Sequence, residues 1–256
     1  MESDDAYGPT GARHCDSAFE SFRTPSGDVE FYRGLAREAG GSVLELGCGS
    51  GRVLLPIARD GFACTGLDSS DAMLGELARK SPPENLRCVR GTMRDFDFGS
   101  QRFPLIFSAF RSFQHLLTVE DQLSCLQAVR RHLAPGGRFA FDVFAPKLER
   151  IAVFDEKEFE EARWRDGEVE IVRWASVRRD PAAQIMDVTF RYERHRPGSP
   201  AESHSVSTRM RYFFRYEVEH LLFRAGFSSV EVFGGFDRRP YDYFSGETVV
   251  IAKAQS

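Results

Sequence analysis

Two hydrophobic rhythms alternate along the front of this chain. Short apolar runs predict buried strands near 42–47, 62–67, 86–90, 103–109 and 137–144. Between them, residues near 51–60, 70–80 and 119–133 place apolar side chains at helical spacing. Ser26 is positioned to cap one further helix over 28–39, which has acids in its first turn. Pro56 falls inside the 51–60 segment and predicts a kink there, because it leaves the Arg52 carbonyl without its helical donor. Strands alternating with helices predict a parallel sheet with right-handed crossovers.

After Ala145-Pro146 the rhythm changes. From about Val169 the period becomes two: Met186, Val188, Phe190 and Tyr192 share one face, and Asp187, Thr189, Arg191 and Glu193 the other. Val206, Thr208, Met210, Tyr212 and Phe214 repeat the pattern, and Asp180-Pro181 and Pro197-Gly198-Ser199-Pro200 break it as hairpin turns do. A half-exposed antiparallel sheet fits this alternation. A helix from Tyr216 to Ala225, stopped by Gly226, and strands near 228–233 and 247–253 then return to the first pattern. The predicted fold class is α/β: a Rossmann-like, doubly wound, seven-stranded, mostly parallel sheet carrying an inserted antiparallel β lid. The predicted boundaries are 1–149 plus 214–256 for the main domain, with 1–25 as a mobile N-terminal flap, and 150–213 for the lid.

One turn carries the chemistry. Val43-Leu44-Glu45-Leu46-Gly47-Cys48-Gly49-Ser50-Gly51-Arg52 is a strand, a glycine turn and a helix start, and the next strand ends at Asp68. That is the front half of a nucleoside-binding α/β unit. The spacing is G-x-G-x-G, and Arg52 stands where a dinucleotide fingerprint continues towards its third glycine. This argues against a nicotinamide oxidoreductase and for a smaller ligand whose ammonium group sits beside Glu45.

The same stretch resembles motif I of the class I S-adenosylmethionine-dependent methyltransferases, and Asp68 stands where that family's ribose-binding acid stands. The resemblance continues through 91–96, 103–110, 132–139 and 221–227, and so covers most of the chain from Val43 to Lys253. The insert's position resembles that of the sugar-amine N,N-dimethyltransferases, where it covers the acceptor pocket. The resemblance implies a donor, S-adenosyl-L-methionine, that leaves as S-adenosyl-L-homocysteine, and no metal. It implies a donor site of Glu45, Gly47, Cys48, Gly49, Gly51, Arg52, Asp68, Ser69, Met73, Thr92, Met93 and Ser108. Thr92 and Pro104 replace acids common in relatives.

The acceptor side narrows the reaction. After the fourth strand stands Ser108-Ala109-Phe110-Arg111, which lacks the Pro-Pro-aromatic motif of nucleic-acid amino methyltransferases. Ser112-Phe113-Gln114-His115-Leu116 resembles the matching loop of glycine N-methyltransferase, with Arg111 in place of that family's Asn. Phe110, Arg111 and Gln114 are the candidate acceptor-binding residues, and His115 and Arg111 the candidate catalytic ones. Arg111 either clamps a carboxylate or phosphate on the acceptor or pairs with a lid acid. His115 either takes a proton or serves as a hydrogen-bonded structural residue. The expected reaction is in-line methyl transfer to nitrogen or oxygen of a small molecule, driven by proximity and desolvation.

Charge and composition refine this reading. The net charge of −4 gives no global attraction to polyanions. Locally, 155–170 is rich in acid and 171–215 rich in arginine, which means either cross-strand pairing or a basic patch for RNA. The patch keeps a tRNA or protein methyltransferase open as an alternative, and a non-catalytic cofactor-binding module is another. The five cysteines are scattered and the six histidines lack ligand spacing, so neither disulfides nor a metal is expected. No apolar run is long enough to span a membrane, and the acidic start, Met1-Glu2-Ser3-Asp4-Asp5, lacks a signal-peptide pattern. The expected setting is the cytoplasm; oligomeric state is left open.

Overall fold

The computed structural model describes residues 4–12 and 26–254. Of the flap expected over 1–25, residues 1–3 and 13–25 lie outside the described residues. The chain divides into two compact units: residues 25–146 with 212–256, and residues 147–211 with 1–24.

In chain order the strands are β1 (Asp4–Asp5), β2 (Val43–Leu46), β3 (Cys64–Asp68), β4 (Leu86–Arg90), β5 (Phe103–Ser108) and β6 (Leu133–Phe144). There follow β7 (Asp155–Asp166), β8 (Val169–Asp180), β9 (Ile185–His195), β10 (Glu202–Arg211), β11 (Phe227–Phe233) and β12 (Glu247–Ala254). The helices are α1 (Asp28–Ala39), α2 (Leu54–Arg59), α3 (Asp71–Arg79), α4 (Val119–His132), α5 (Leu148–Ile151) and α6 (Arg215–Arg224).

The first unit holds a seven-stranded sheet in the order β11-β12-β6-β5-β2-β3-β4. Strands β2 to β6 pair in parallel, and β12 runs antiparallel between β6 and β11. All four residues of β2 are buried, as a central strand covered on both faces requires. One core cluster packs Phe31, Tyr32 and Leu35 of α1 and Leu54 and Ile57 of α2 against the sheet. A second packs Leu126 and Val129 of α4 and Leu222 of α6 with Phe139 and Phe141. The strand order reverses beside β2, and in open α/β sheets the crevice beyond the strands' carboxyl ends at such a point is where ligands bind.

Local differences from the sequence reading have simple causes. Gly27, in the left-handed region at φ 88°, occupies the N-cap of α1 instead of Ser26. Helix α2 starts only at Leu54, so Pro56 lies in its first turn. Amides in a first turn have no intrahelical acceptor, so the missing N–H costs no helical bond and the expected kink has no cause. β6 begins early, at Leu133, and Ala134-Pro135-Gly136-Gly137 take up a register shift against β5.

The second unit is a sheet in the order β1-β10-β9-β8-β7, antiparallel from β7 to β10. Asp4–Asp5, which the sequence leaves without periodicity, pair in parallel with Val206–Ser207. Its small core centres on Ile171, Tyr192 and Val206. The acidic segment forms edge strand β7, a placement in which a charged row discourages further strand pairing. The charge asymmetry resolves into pairs: Arg173 to Glu161 at 2.8 Å, Arg191 to Glu158 at 2.6 Å, and Arg178 and Arg209 to Asp187 at 3.1 and 2.6 Å. Among the described residues no helix is long and apolar enough to cross a membrane.

Candidate functional site

Three loops at the carboxyl end of the parallel strands meet at Gly47. Its φ is 72°, and a Cβ built there would lie 2.8 Å from the Ser112 Cβ and 3.1 Å from the Met93 Cε. Only glycine allows this close approach of the turn after β2 to the loops after β5 and β4. Gly49, at φ 52°, donates its N–H to Asp68 Oδ2 at 2.7 Å, and the Ser70 N–H reaches Asp68 Oδ1 at 2.9 Å. Gly51 closes the turn by donating to the Cys48 carbonyl at 2.9 Å. The cap of α3 is Ser70, whose hydroxyl accepts the Met73 N–H at 3.1 Å. Asp68 thus ties the glycine turn to the end of β3 rather than capping the helix. Each of its oxygens keeps further acceptor capacity.

Glu45 is 2 % exposed, and its Oε2 has no hydrogen-bond partner. Burial drives its carboxyl well above the ordinary range, against the opposing pull of Arg52. A buried carboxylate oxygen without a donor, beside a turn that leaves no room for side chains, is a costly arrangement that a cationic or hydrogen-bond-donating group would relieve. Cys48 and Met73 are buried within the wall, and Met93 is half-buried. Ser69 is exposed; Thr92 is too, and its Oγ1 accepts the Arg94 N–H at 3.2 Å. Ser108 is fully buried, with its hydroxyl unpartnered.

Beyond β5 the backbone enters an uncommon conformation. Phe110 and Arg111 are consecutive non-glycine residues in the left-handed region, at φ 52° and 66°. One buried carboxylate holds both: Asp142 Oδ1 accepts the Phe110 N–H at 2.9 Å and Oδ2 the Arg111 N–H at 3.1 Å. The Tyr32 hydroxyl donates to the same Oδ1 at 2.7 Å. Burial lifts the Asp142 carboxyl to about 7, with the Tyr32 hydrogen bond opposing the rise.

The Arg111 guanidinium is held by an acid of its own unit. Its Nη2 donates to Glu247 Oε1 at 2.7 Å. Glu247 opens β12 and pairs with Phe144 at the end of β6, so it stands at the ligand edge of the main sheet. Arg52 does not point a bare charge at the turn either; it pairs with buried Asp28 and lies 4.9 Å over the Phe110 ring. Gln114 is fully buried, and its Oε1 accepts the Phe144 N–H at 3.2 Å. His115 is half-buried in a single 3₁₀ turn, Ser112–His115, and its charge when protonated favours the ionised form of Asp68.

The sequence reading therefore misses Tyr32, Asp28, Asp142 and Glu247. Asp142 had a signal, as the one acid in the apolar run Phe139-Ala140-Phe141-Asp142-Val143-Phe144. Glu247 had none; only the placement of β12 beside β6 brings it to Arg111. No group of three or more His, Cys, Asp or Glu that could hold a metal ion is present among the described residues.

Residues 43–137 match the family model described as a methyltransferase domain. The structure of the CcbJ methyltransferase from Streptomyces caelestis is similar over all of both chains, with a TM-score of 0.84 and 26% identity. A putative methyltransferase of Bacillus subtilis (strain 168), YqeM, is 26% identical over 59% of this chain and 60% of its own length. The dTDP-3-amino-3,4,6-trideoxy-alpha-D-glucopyranose N,N-dimethyltransferase of Streptomyces venezuelae is 32% identical over 38% of this chain and 39% of its own. The matches thus span less than two thirds of these curated relatives.

Proposed function

We propose that this chain, whose residues 43–137 match a methyltransferase domain, is an S-adenosylmethionine-dependent methyltransferase of class I that methylates an amine nitrogen on a small molecule. The observation that carries the reading is the buried, unpartnered Glu45 oxygen beside the Gly47–Gly51 turn, with Asp68 fixed across it. Relatives named for sugar-amine N,N-dimethylation support the choice of nitrogen and of a small acceptor.

The donor supplies an already activated methyl group, so the chain's work is placement more than acid–base chemistry. Glu45 holds the donor's ammonium and Asp68 its ribose hydroxyls. The backbone of Met93 borders the adenine, and the close approach at Gly47 lets the methionyl part lie along the turn. Phe110 forms an apolar wall at the acceptor side. In this reading His115 receives the proton that the acceptor nitrogen sheds. Arg173 and Arg191 of the antiparallel sheet are held by acids rather than arrayed for phosphates.

The test is direct. Purified protein is titrated with S-adenosylmethionine and with NAD, then incubated with donor and a panel of amines, alcohols and bulk tRNA while S-adenosylhomocysteine release is followed. Donor binding with turnover on amines is expected. NAD binding without S-adenosylmethionine binding, or turnover confined to tRNA, would overturn the proposal.

A further inference from the structure

The loop after β4 forms one wall of the glycine turn. Met93 reaches the turn with its Cε 3.1 Å from where a Cβ on Gly47 would stand. The loop, residues 91–102, has no helix or strand of its own. Two backbone hydrogen bonds tie it to its neighbours, one on either side of Met93. The Gly91 N–H donates to the Asp68 carbonyl at 2.9 Å, and the Phe98 N–H donates to His132 Nε2 at 2.9 Å. His132 is the last residue of α4 and only 1% exposed. The Phe96 ring lies beside it, with centroids 5.3 Å apart.

The partners of the ring fix its protonation state. Nδ1 lies 2.9 Å from the Ala128 carbonyl one turn back on α4, and a carbonyl only accepts, so Nδ1 carries the hydrogen. A backbone N–H only donates, so Nε2 is bare. His132 therefore stands as a neutral imidazole in one tautomer. A second group competes for Nε2. Asp97 Oδ1 is 3.3 Å away, and the Gly99 N–H holds its carboxyl below the ordinary range. A proton on Nε2 would serve Asp97 and turn Phe98 away. The other charges of the loop and α4 here are engaged. Arg94 and Asp121 lie 3.8 Å apart, Asp95 and Arg131 3.9 Å, and Arg102 donates to the Gly99 and Gln101 carbonyls. Burial keeps the Cys125 thiol on α4 neutral, and β5 contributes the apolar Phe103 against Phe98.

We propose that His132 is a positioning residue for donor binding: as a neutral acceptor it fixes Phe98, and so keeps Met93 in place against the Gly47 turn. This rests on the methyltransferase reading, in which the Met93 backbone borders the adenine. His132 touches no ligand in this role and acts through the loop alone. Losing the Nε2 acceptor strands the Phe98 N–H, and the loop shifts to give that donor a new partner. Protonation of the ring has the same effect, and the histidine side chain ordinarily changes charge between about pH 5 and 8.

The experiment uses the full chain, its His132→Gln and His132→Leu variants, and S-adenosylhomocysteine as the probe. Glutamine offers an uncharged amide oxygen in place of Nε2 and does not titrate; leucine offers no acceptor. By calorimetry at about pH 7.5, the glutamine variant should bind within about twofold of wild type. The leucine variant should bind about three- to tenfold more weakly, the scale of one hydrogen bond. On lowering the pH to about 5.5, wild type should lose more affinity than the glutamine variant does. Whatever Glu45 and the other histidines contribute is common to both proteins and drops out of that difference. In nitrogen NMR of histidine-labelled protein, the wild-type signals missing from both variants should be those of a neutral ring with its hydrogen on Nδ1. A leucine variant that binds like wild type, or a glutamine variant as weak as leucine, would overturn the inference alone. So would a glutamine variant with the wild-type pH response, or a ring that carries a hydrogen on Nε2 at the higher pH. If the leucine variant does not fold, the tautomer and the glutamine variant decide. Failure of wild type to bind S-adenosylhomocysteine at either pH would overturn the methyltransferase reading, and this inference with it.

Discussion

Asp142 holds Arg111 by its backbone and not by its charge: Oδ2 accepts the Arg111 N–H at 3.1 Å, while the guanidinium leaves for Glu247. The same carboxylate fixes Phe110, so one buried acid on β6 sets the shape of the loop after β5. Two consecutive left-handed residues are each unfavourable for a side chain. Two backbone donors converging on one carboxylate offset that cost. Arg111 is in consequence an oriented group with a preset partner, which is why an anion clamp, the simplest sequence-level reading of an arginine at this position, is not what its surroundings favour.

Asp142 should make stability fall with rising pH. Its carboxyl is held at about 7 by burial, against about 3.9 in an unfolded chain. The folded protein then binds this proton more tightly than the unfolded one, so the contribution is complete below about 4 and is lost as pH rises through about 7. Asp142→Asn removes the titration and sets an amide donor against one of the two backbone donors, at a cost of about 1–3 kcal/mol. Urea unfolding at several pH values from 4 to 8 should show a shallower slope in the variant. Identical slopes would mean that Asp142 does not titrate in this window.

Tyr32→Phe should act on the same network from the other side. The hydroxyl-to-Asp142 bond is buried, and losing it should destabilise the fold by about 1–2 kcal/mol. Since this bond holds the Asp142 carboxyl down, its removal should move the pH-dependent loss of stability to higher pH. An unchanged midpoint on the pH axis would count against the assignment.

Gly47→Ala tests the convergence of loops. A methyl group there meets Ser112 and Met93 at a backbone φ of 72°, so strain of about 1–3 kcal/mol is expected. Donor affinity should fall further than stability alone explains, because relieving the clash moves the turn itself. A variant with wild-type donor affinity would show that the turn tolerates displacement.

The strands and helices of the main sheet were legible because burial on both faces leaves no ambiguity: Val43–Leu46 and Phe103–Ser108 are apolar runs bounded by turns. β7 was not legible as a strand, since an edge with mostly exposed charged residues shows no alternation to read. The glycine turn proposed for the donor was legible too, because Glu45, Gly47, Gly49 and Asp68 sit on adjacent strand ends at fixed spacing from one another. The acceptor side was half hidden. Phe110 and Arg111 follow their strand in sequence, but Glu247 lies 136 positions away from Arg111 and arrives only through β12.

Asp68→Ala should separate donor binding from helix capping. Ser70 supplies the cap of α3, so the variant should lose donor affinity by about 1–3 kcal/mol through unpaired ribose hydroxyls. It also loses the bond to the Gly49 N–H, so a modest drop in melting temperature is expected alongside. Loss of stability with full donor affinity would assign Asp68 to the turn alone.

Glu45 gives the last prediction, and its sign follows from burial. With its carboxyl raised well above the ordinary range by burial and Oε2 lacking a partner, Glu45 holds its proton more tightly than an exposed glutamate does. An ammonium group favours the ionised form, since an opposite charge nearby stabilises a carboxylate. Donor binding should therefore release a proton, and affinity should rise as pH rises towards the acid's own titration point. Calorimetry in two buffers of different ionisation enthalpy counts that proton. Glu45→Gln keeps the volume and removes both the charge and the titration. It should abolish the buffer dependence and weaken binding of S-adenosylmethionine and S-adenosylhomocysteine to similar degrees, because both carry the ammonium. If the variant lost only the sulfonium-bearing ligand, Glu45 would instead be reading the charge at sulfur. If it bound both like wild type, the buried oxygen would have no part in holding the donor.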